Sequence, residues 1–391
     1  MIVRTFESPR CRRRESRLLA AASLALCAWL TVADATCGGQ PGGARPAESA
    51  VAAGFTLFAP SEARQSVLVV RARPTDSGLV LEWGRGVEVG FPARRIVAHA
   101  TQPLLYVSGS QGAAGHDAAV VPLDAEGLPQ PSRPVTLGRS YSYISTDRAG
   151  RFLLGCDYFS GAIDVFPLDA AGVPGPRTQG LDEGRTWAHC VLPSPDNRSV
   201  YIPYVKDMNA LYQYAFDPET GRLTPLEPKD VGPPAGSGPR HLVYHPRLPL
   251  VYFSEEQGLG VSIYRRAADG RLSLWRRERA VPAAAPASTT GSDIVITPDG
   301  RHLYTGVRNS SEADDAIACY AVGDDGGLTP RGLAPADSVP WGMAVSPDGR
   351  FLAVTGWGSA TLMVYAIAAD GSLTRAATLP WDKQISDVIA R

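Results

Sequence analysis

The sequence contains no HExxH, no Walker-type phosphate loop, no CxxC and no Cys–His cluster at metal-ligand spacing. Those absences remove the usual sequence grounds for a zinc hydrolase, a nucleotide-driven enzyme or a dithiol redox protein, and no metal or cofactor is expected. An excess of either charge is also missing: 38 Lys and Arg stand against 39 Asp and Glu. With no basic run beyond the N-terminus, nothing points to nucleic acid or an anionic membrane surface as a partner. Cysteine is sparse, with six in 391 residues. Cys11 and Cys27 fall in the N-terminal leader, and Cys37, Cys156, Cys190 and Cys319 are too scattered for a disulfide framework. They read as small buried core thiols.

Only one long apolar run exists, from Leu18 to Ala33, headed by Arg10, Arg12, Arg13, Arg14 and Arg17. It is short for a membrane span. With the small-residue site Ala33-Asp34-Ala35 it reads as a secretory leader over residues 1–35, followed by a flexible tether over 36–55. Export to the periplasm or the extracellular space follows. Lipid attachment at Cys37 is the alternative processing route, although Asp34-Ala35-Thr36 lacks the usual apolar lipobox.

What the remainder has in abundance is repetition. A turn of the type DGxL recurs as TDSGL, DAEGL, DAAGV, PETGRL, AADGRL, GDDGGL and AADGSL, with glycines at 78, 127, 172, 221, 270, 327 and 371. A strand–turn–strand pattern recurs as IVAHATQPLLYV, ISTDRAGRFLLG, VLPSPDNRSVYI, LVYHPRLPLVYF, IVITPDGRHLYT and MAVSPDGRFLAV. Asp/Gly turns between alternating apolar strands are hairpin signals. About four short strands per repeat, seven times over and with no helical layer, predict an all-β fold: a seven-bladed β-propeller of four-stranded antiparallel blades over residues 56–391. The first repeat lacks its own SPDG hairpin, and the C-terminal LPWDKQISDVIAR supplies a spare strand to complete that blade and close the ring.

Repeats carry their own control, because equivalent positions share a backbone environment. Six residues before the turn Pro or its equivalent stand Tyr141, His189, Arg240, Ser292 and Trp341. On the loop after the second strand stand Ser110, Asp157, Val205 (with Lys206 beyond it), Glu256, Arg308 and Gly356. Both positions are expected at one mouth of the central channel. His189, Arg240, Glu256 and Arg308 then converge as one imidazole, one carboxylate and two guanidiniums. Such a set suits an anionic substrate whose carbonyl is attacked by activated water. Each residue also has a plain reading: His189 as a satisfied core histidine, Arg308 as a surface ion pair, one of Glu255 and Glu256 as a solvated acid. His241 and His245, on the LVYHP strand, read as structural.

The stretches AHCVLPSPDNRSVYIPYVKD, GPRHLVYHPRLPLVYFSEE and SDIVITPDGRHLYTGVRN resemble the seven-bladed β-propeller lactonase family, to which carboxymuconate cyclases are related. The resemblance implies hydrolysis of a small anionic sugar-acid lactone of the 6-phosphogluconolactone type, and a monomer is expected. It implies His189, Arg240, Glu256 and Arg308 as the catalytic set and Tyr158, Lys206 and Asp293 as substrate-binding residues. Trp341 and Trp357 depart from the family pattern, in which an Arg and a Gln are usual. A non-catalytic exported binding or scaffold propeller and a muconate-lactone cyclase remain the alternative readings.

Overall fold

In a computed structural model of the chain, residues 54–76, 78–182, 184–280, 288–308 and 315–391 are described below. The leader, the tether up to residue 53 and Cys37 lie outside the described residues. Seven antiparallel sheets follow one another along the chain, six of four strands and one of five. In blade V, for example, Pro239–Tyr244, Leu250–Glu255, Gly260–Arg266 and Leu272–Arg279 pair in sequence order. The first strands of blades II to IV touch in turn, as do those of blades V to VII, and the first strand of blade V meets the second strand of blade IV. That ring closes as the sequence predicts: the C-terminal Ile389–Ala390 pairs with Phe55–Ser61 through Phe58↔Ile389 and Leu57↔Ala390 and becomes the innermost strand of blade I. Joining the two chain ends in one sheet closes the ring with backbone hydrogen bonds.

The two repeated sequence signatures meet in space. A tyrosine on the second strand of one blade donates its hydroxyl hydrogen bond to the glycine carbonyl of the DGxL turn in the next. The pairs are Tyr106 with Gly172 at 2.7 Å, Tyr201 with Gly270 at 2.6 Å, Tyr252 with Gly326 at 2.7 Å and Tyr304 with Gly371 at 3.0 Å. Each phenol is buried, so the latch satisfies a hydroxyl that would otherwise be stranded among apolar side chains. The turn glycine in blade VI is therefore Gly326, with φ +81°, and not the Gly327 of the sequence reading. Cys156, Cys190 and Cys319 are buried free thiols, as expected.

One backbone feature decides what faces the channel. The innermost strands of blades V, VI and VII each carry an extra residue against the second strand, shown by register shifts between Pro239 and Leu242, Gly291 and Ile294, and Pro340 and Met343. Blade II has the same shift between Ala93 and Arg95. A β-bulge sets two residues against one and re-aims their side chains. Here the bulged pairs are Arg240–His241, Ser292–Asp293 and Trp341–Gly342.

Candidate functional site

A cavity of about 450 Å³ opens among the N-terminal ends of the innermost strands. His189, Glu256, Arg308, Tyr158 and Lys206 line it, together with Trp341, Phe159, Ser142 and the pair Arg94–Arg95. Five of the seven predicted site residues thus face one space. Arg240 lies directly behind its wall, fully buried, and Asp293 faces a separate inner channel of about 240 Å³. By hydrogen-bond register, the blade III counterpart of His189 is Ser142: Ser142 donates its backbone N–H to Cys156 just as His189 does to Pro203. The sequence alignment that placed Tyr141 there is one residue out.

Charge is concentrated around Glu256. Its Oε2 accepts from Arg240 Nε at 3.0 Å and lies 3.6 Å from Arg308 Nη2. Its Oε1 accepts from Gln257 Nε2 at 3.2 Å. The same Gln257 amide oxygen accepts the Lys206 backbone N–H at 2.9 Å, tying the blade IV loop to the acid. Gln257 occupies the space a Cβ on Gly238 would need, only 1.7 Å from its Oε1, and Gly238 has φ +57°. That explains the glycine in GPRH. Glu255, one residue away on a strand, points to the opposite face. There the buried Glu255 carboxylate forms a bidentate pair with the partly exposed Arg277 and accepts from Ser262 at 2.5 Å. Neither acid is solvated, contrary to the sequence expectation: both are buried, Glu255 in structure and Glu256 in the site.

The two guanidiniums are not satisfied by Glu256 alone. Arg308 Nη1 and Arg240 Nη2 are buried N–H groups with no partner among the described residues. Burial and the neighbouring Arg240 charge push the Arg308 guanidinium down to about 9, opposed by Glu256. A buried cation under that stress, with donors unmet, is relieved by an incoming anion or a developing oxyanion. Its plane stacks on Trp341 with 3.9 Å from Cζ to the ring centroid, and Trp341 in turn packs on Trp357 at 5.5 Å. The opposite wall is also aromatic. Lys206 Nζ sits 4.1 Å from the Trp187 ring centroid and 5.3 Å from that of Tyr158, and the Tyr158 ring meets His189 edge-on at 5.4 Å. Trp187 and Lys206 both hold positive φ, 71° and 57°. Two non-glycine residues in this sparsely populated conformation, from two different loops, thus meet beside the cavity.

His189 is buried, and its Nδ1 lies 3.1 Å from His241 Nε2. His241 Nδ1 lies 2.7 Å from Asp293 Oδ1. His241, read from the sequence as structural, is therefore at the heart of the site, because the bulge turns it with Arg240 toward the ring axis. His245 matches its structural reading: its Nδ1 accepts the backbone N–H groups of Arg247 and Leu248, as His99 does for Thr101 and Gln102 in blade II. Burial holds His189 well below its usual pKa, with Arg240, His241 and Arg95 adding to the effect. His241 is pushed down to about 4, by burial first and then by Arg240. Sequence reasoning missed Trp187, Phe159, Arg94, Arg95 and Ser142. The doublet Arg94-Arg95 stood immediately before the degenerate blade II hairpin and was the one signal available.

The fold and site define a seven-bladed propeller with a cationic, aromatic-walled cavity and an unprotonated imidazole at the mouth of its channel. Its residues 61–384 match the family model described as "Lactonase, 7-bladed beta-propeller", and the chain belongs to that family. A 6-phosphogluconolactonase of Cronobacter sakazakii is 33% identical over 263 residues, covering 66% of this chain and 74% of that one. The periplasmic gluconolactonase of Pseudomonas aeruginosa superimposes with a TM-score of 0.75 at 22% identity, covering 86% of this chain and 99% of that chain. A putative 6-phosphogluconolactonase of Bacteroides fragilis gives 0.73 at 20%, covering 89% and 100%. At those identities the two structures speak for the fold.

Proposed function

We propose that this protein is a lactonase that hydrolyses a sugar-acid lactone of the 6-phosphogluconolactone type to the open acid. One observation carries the reading: His189 and Arg308, the first with an unprotonated ring and the second with an unmatched N–H, line the same cavity. His189 Nε2 takes a proton from water as the water oxygen bonds to the lactone carbonyl carbon. The carbonyl electron pair moves onto its oxygen, which accepts from Arg308. Collapse of that adduct breaks the ring C–O bond, and the proton on Nε2 passes to the departing ring oxygen. Water is added overall and His189 is restored. Glu256, engaged by both arginines and by Gln257, orients the guanidiniums and leaves the base role to His189. Arg240 holds Glu256 from behind. Tyr158 and Lys206, both packed against Trp187, offer a ring and a cation to a polar sugar.

The purified protein, followed by acid release at constant pH, is expected to open phosphorylated or unphosphorylated 1,5-lactones of sugar acids. An Arg240→Ala, Glu256→Ala double variant retaining wild-type rates would sink the site assignment. A panel in which only a muconate lactone reacts would favour the cyclase reading, and a panel with no turnover the binding-module reading. The Arg-headed apolar run supports export, with lipid attachment at Cys37 the alternative route. Subcellular fractionation showing the protein only in the cytosol would overturn export.

A further inference from the structure

From the inner channel to the mouth cavity, three titratable side chains from three blades form one chain: the partly buried Asp293 of blade VI and the buried His241 of blade V and His189 of blade IV. From this geometry we infer that Asp293 and His241 are positioning residues that fix the tautomer of His189, so that its bare Nε2 and not an N–H faces the substrate. The inference rests on the lactonase reading for what His189 does, but not for the tautomer itself.

The hydrogen-bond logic runs one way. Asp293 is held as a carboxylate: burial opposes its charge, but His241 and Arg240 outweigh that and keep it below the usual range. Both oxygens are committed as acceptors, Oδ1 to the Ile294 N–H at 2.8 Å and to His241, and Oδ2 to the Met343 N–H at 2.9 Å. A carboxylate only accepts, so His241 Nδ1 carries the hydrogen. A neutral imidazole has one N–H, so His241 Nε2 is a lone pair and can only accept in its turn. His189 Nδ1, 3.1 Å away, must then be the donor. His189 Nε2 is left bare, and it makes no hydrogen bond to any described residue. Apart from Asp293, the charged groups facing His241 favour a neutral ring. Arg240 Nη1 lies 3.4 and 3.5 Å from its two nitrogens, Arg95 adds positive charge from blade II, and Tyr143 packs edge-on at 5.1 Å. Only Asp293 favours a proton there.

During turnover His189 gains a proton at Nε2 and keeps the one at Nδ1, so no proton moves along the chain. The transient imidazolium points its Nδ1–H at the His241 lone pair, and the carboxylate lies beyond it. Asp293 stays ionised throughout. This differs from a substrate-binding role for Asp293, which would require it in the mouth cavity. It lines the inner channel instead.

The test combines kinetics with ¹⁵N-histidine NMR of the intact protein, whose six histidines keep the spectrum sparse. In the wild type, His189 and His241 should both show the Nδ1–H tautomer; an Nε2–H signal for His189 would overturn the inference without any variant. Asp293→Asn replaces a group that only accepts by one that can donate to His241 Nδ1, and with its amide N–H in that place both tautomers should invert. The expected kinetic result is a loss in kcat on the order of 10² to 10⁴-fold, as for a misoriented catalytic imidazole, with KM within about threefold. Asp293→Glu should restore part of kcat. A rise in KM at unchanged kcat would overturn the positioning role and return Asp293 to substrate binding. Inverted tautomers with full activity would leave the chain standing and refute His189 as the base. His241→Phe, which removes both hydrogen-bonding nitrogens at a residue that does not line the mouth cavity, checks the result should Asp293→Asn fail to fold.

Discussion

Replacing Glu256 by Gln removes one negative charge while keeping shape, and its cost follows from the geometry. The carboxylate sits 3.0 Å from Arg240 Nε and 3.6 Å from Arg308 Nη2. At an effective dielectric near 20, each attraction amounts to about 5 kcal/mol before desolvation is counted. Those arginines stay buried when the acid is lost, Arg240 completely. Breaking a buried pair from one side costs about 3–5 kcal/mol, chiefly from the uncompensated charge left behind. For a ring of this size the unfolding entropy is on the order of 0.7 kcal/mol per degree, so the melting temperature should fall by about 4–7 °C. The same variant should bind anions more tightly than the wild type, because Arg308 then faces the cavity, and Arg240 lies behind it, without their counter-charge. Gluconate or phosphate should therefore recover more melting temperature in Glu256→Gln than in the wild type, while kcat falls. Melting curves with and without anion are the assay. An unshifted melting temperature, or equal anion stabilisation of both proteins, would refute the charge assignment.

Arg308→Lys keeps the charge but loses the planar stack on Trp341 and the forked donors; kcat/KM should drop about 10 to 100-fold, and an unchanged value would remove Arg308 from the reaction. Since His189 is held well below its usual pKa, the acid limb of kcat/KM, corrected for spontaneous lactone opening, should lie below pH 6.5; a midpoint at or above that value argues against His189 as the base. Tyr201→Phe removes the latch to Gly270 at 2.6 Å and should cost about 1–2 kcal/mol in unfolding free energy without altering kcat, and no loss would show the latch to be incidental. Burial raises the Asp387 carboxyl to about 7, outweighing Arg95 and the Ile96 amide. With the folded pKa above the unfolded value, its contribution is present in acid and lost as pH rises from about 4 through 7, on the order of 4 kcal/mol in all. Asp387→Asn should therefore gain stability relative to wild type at pH 8 but not at pH 4, and equal differences at the two pH values would contradict this.

The sequence by itself determined the ring. Period, turn chemistry and strand alternation are local properties, and seven copies of them leave few ways to bury their apolar faces except against one another. Even the closure was legible, because LPWDKQISDVIAR was a strand without a blade. Comparison between repeats also picked out His189, Arg240, Glu256 and Arg308, since a shared backbone cannot explain why they differ. What only the tertiary structure decided was direction. One extra residue in an innermost strand turns two neighbours toward the ring axis, and that register shift depends on hydrogen bonds to a strand over ten residues away. So Arg240 went behind the wall, Asp293 into the inner channel, and His241 from an ordinary strand residue to the link between Asp293 and His189. Glu255 and Glu256 look alike in the chain. A strand's alternation gives one to Arg277 as a structural pair and the other to two arginines beside the cavity.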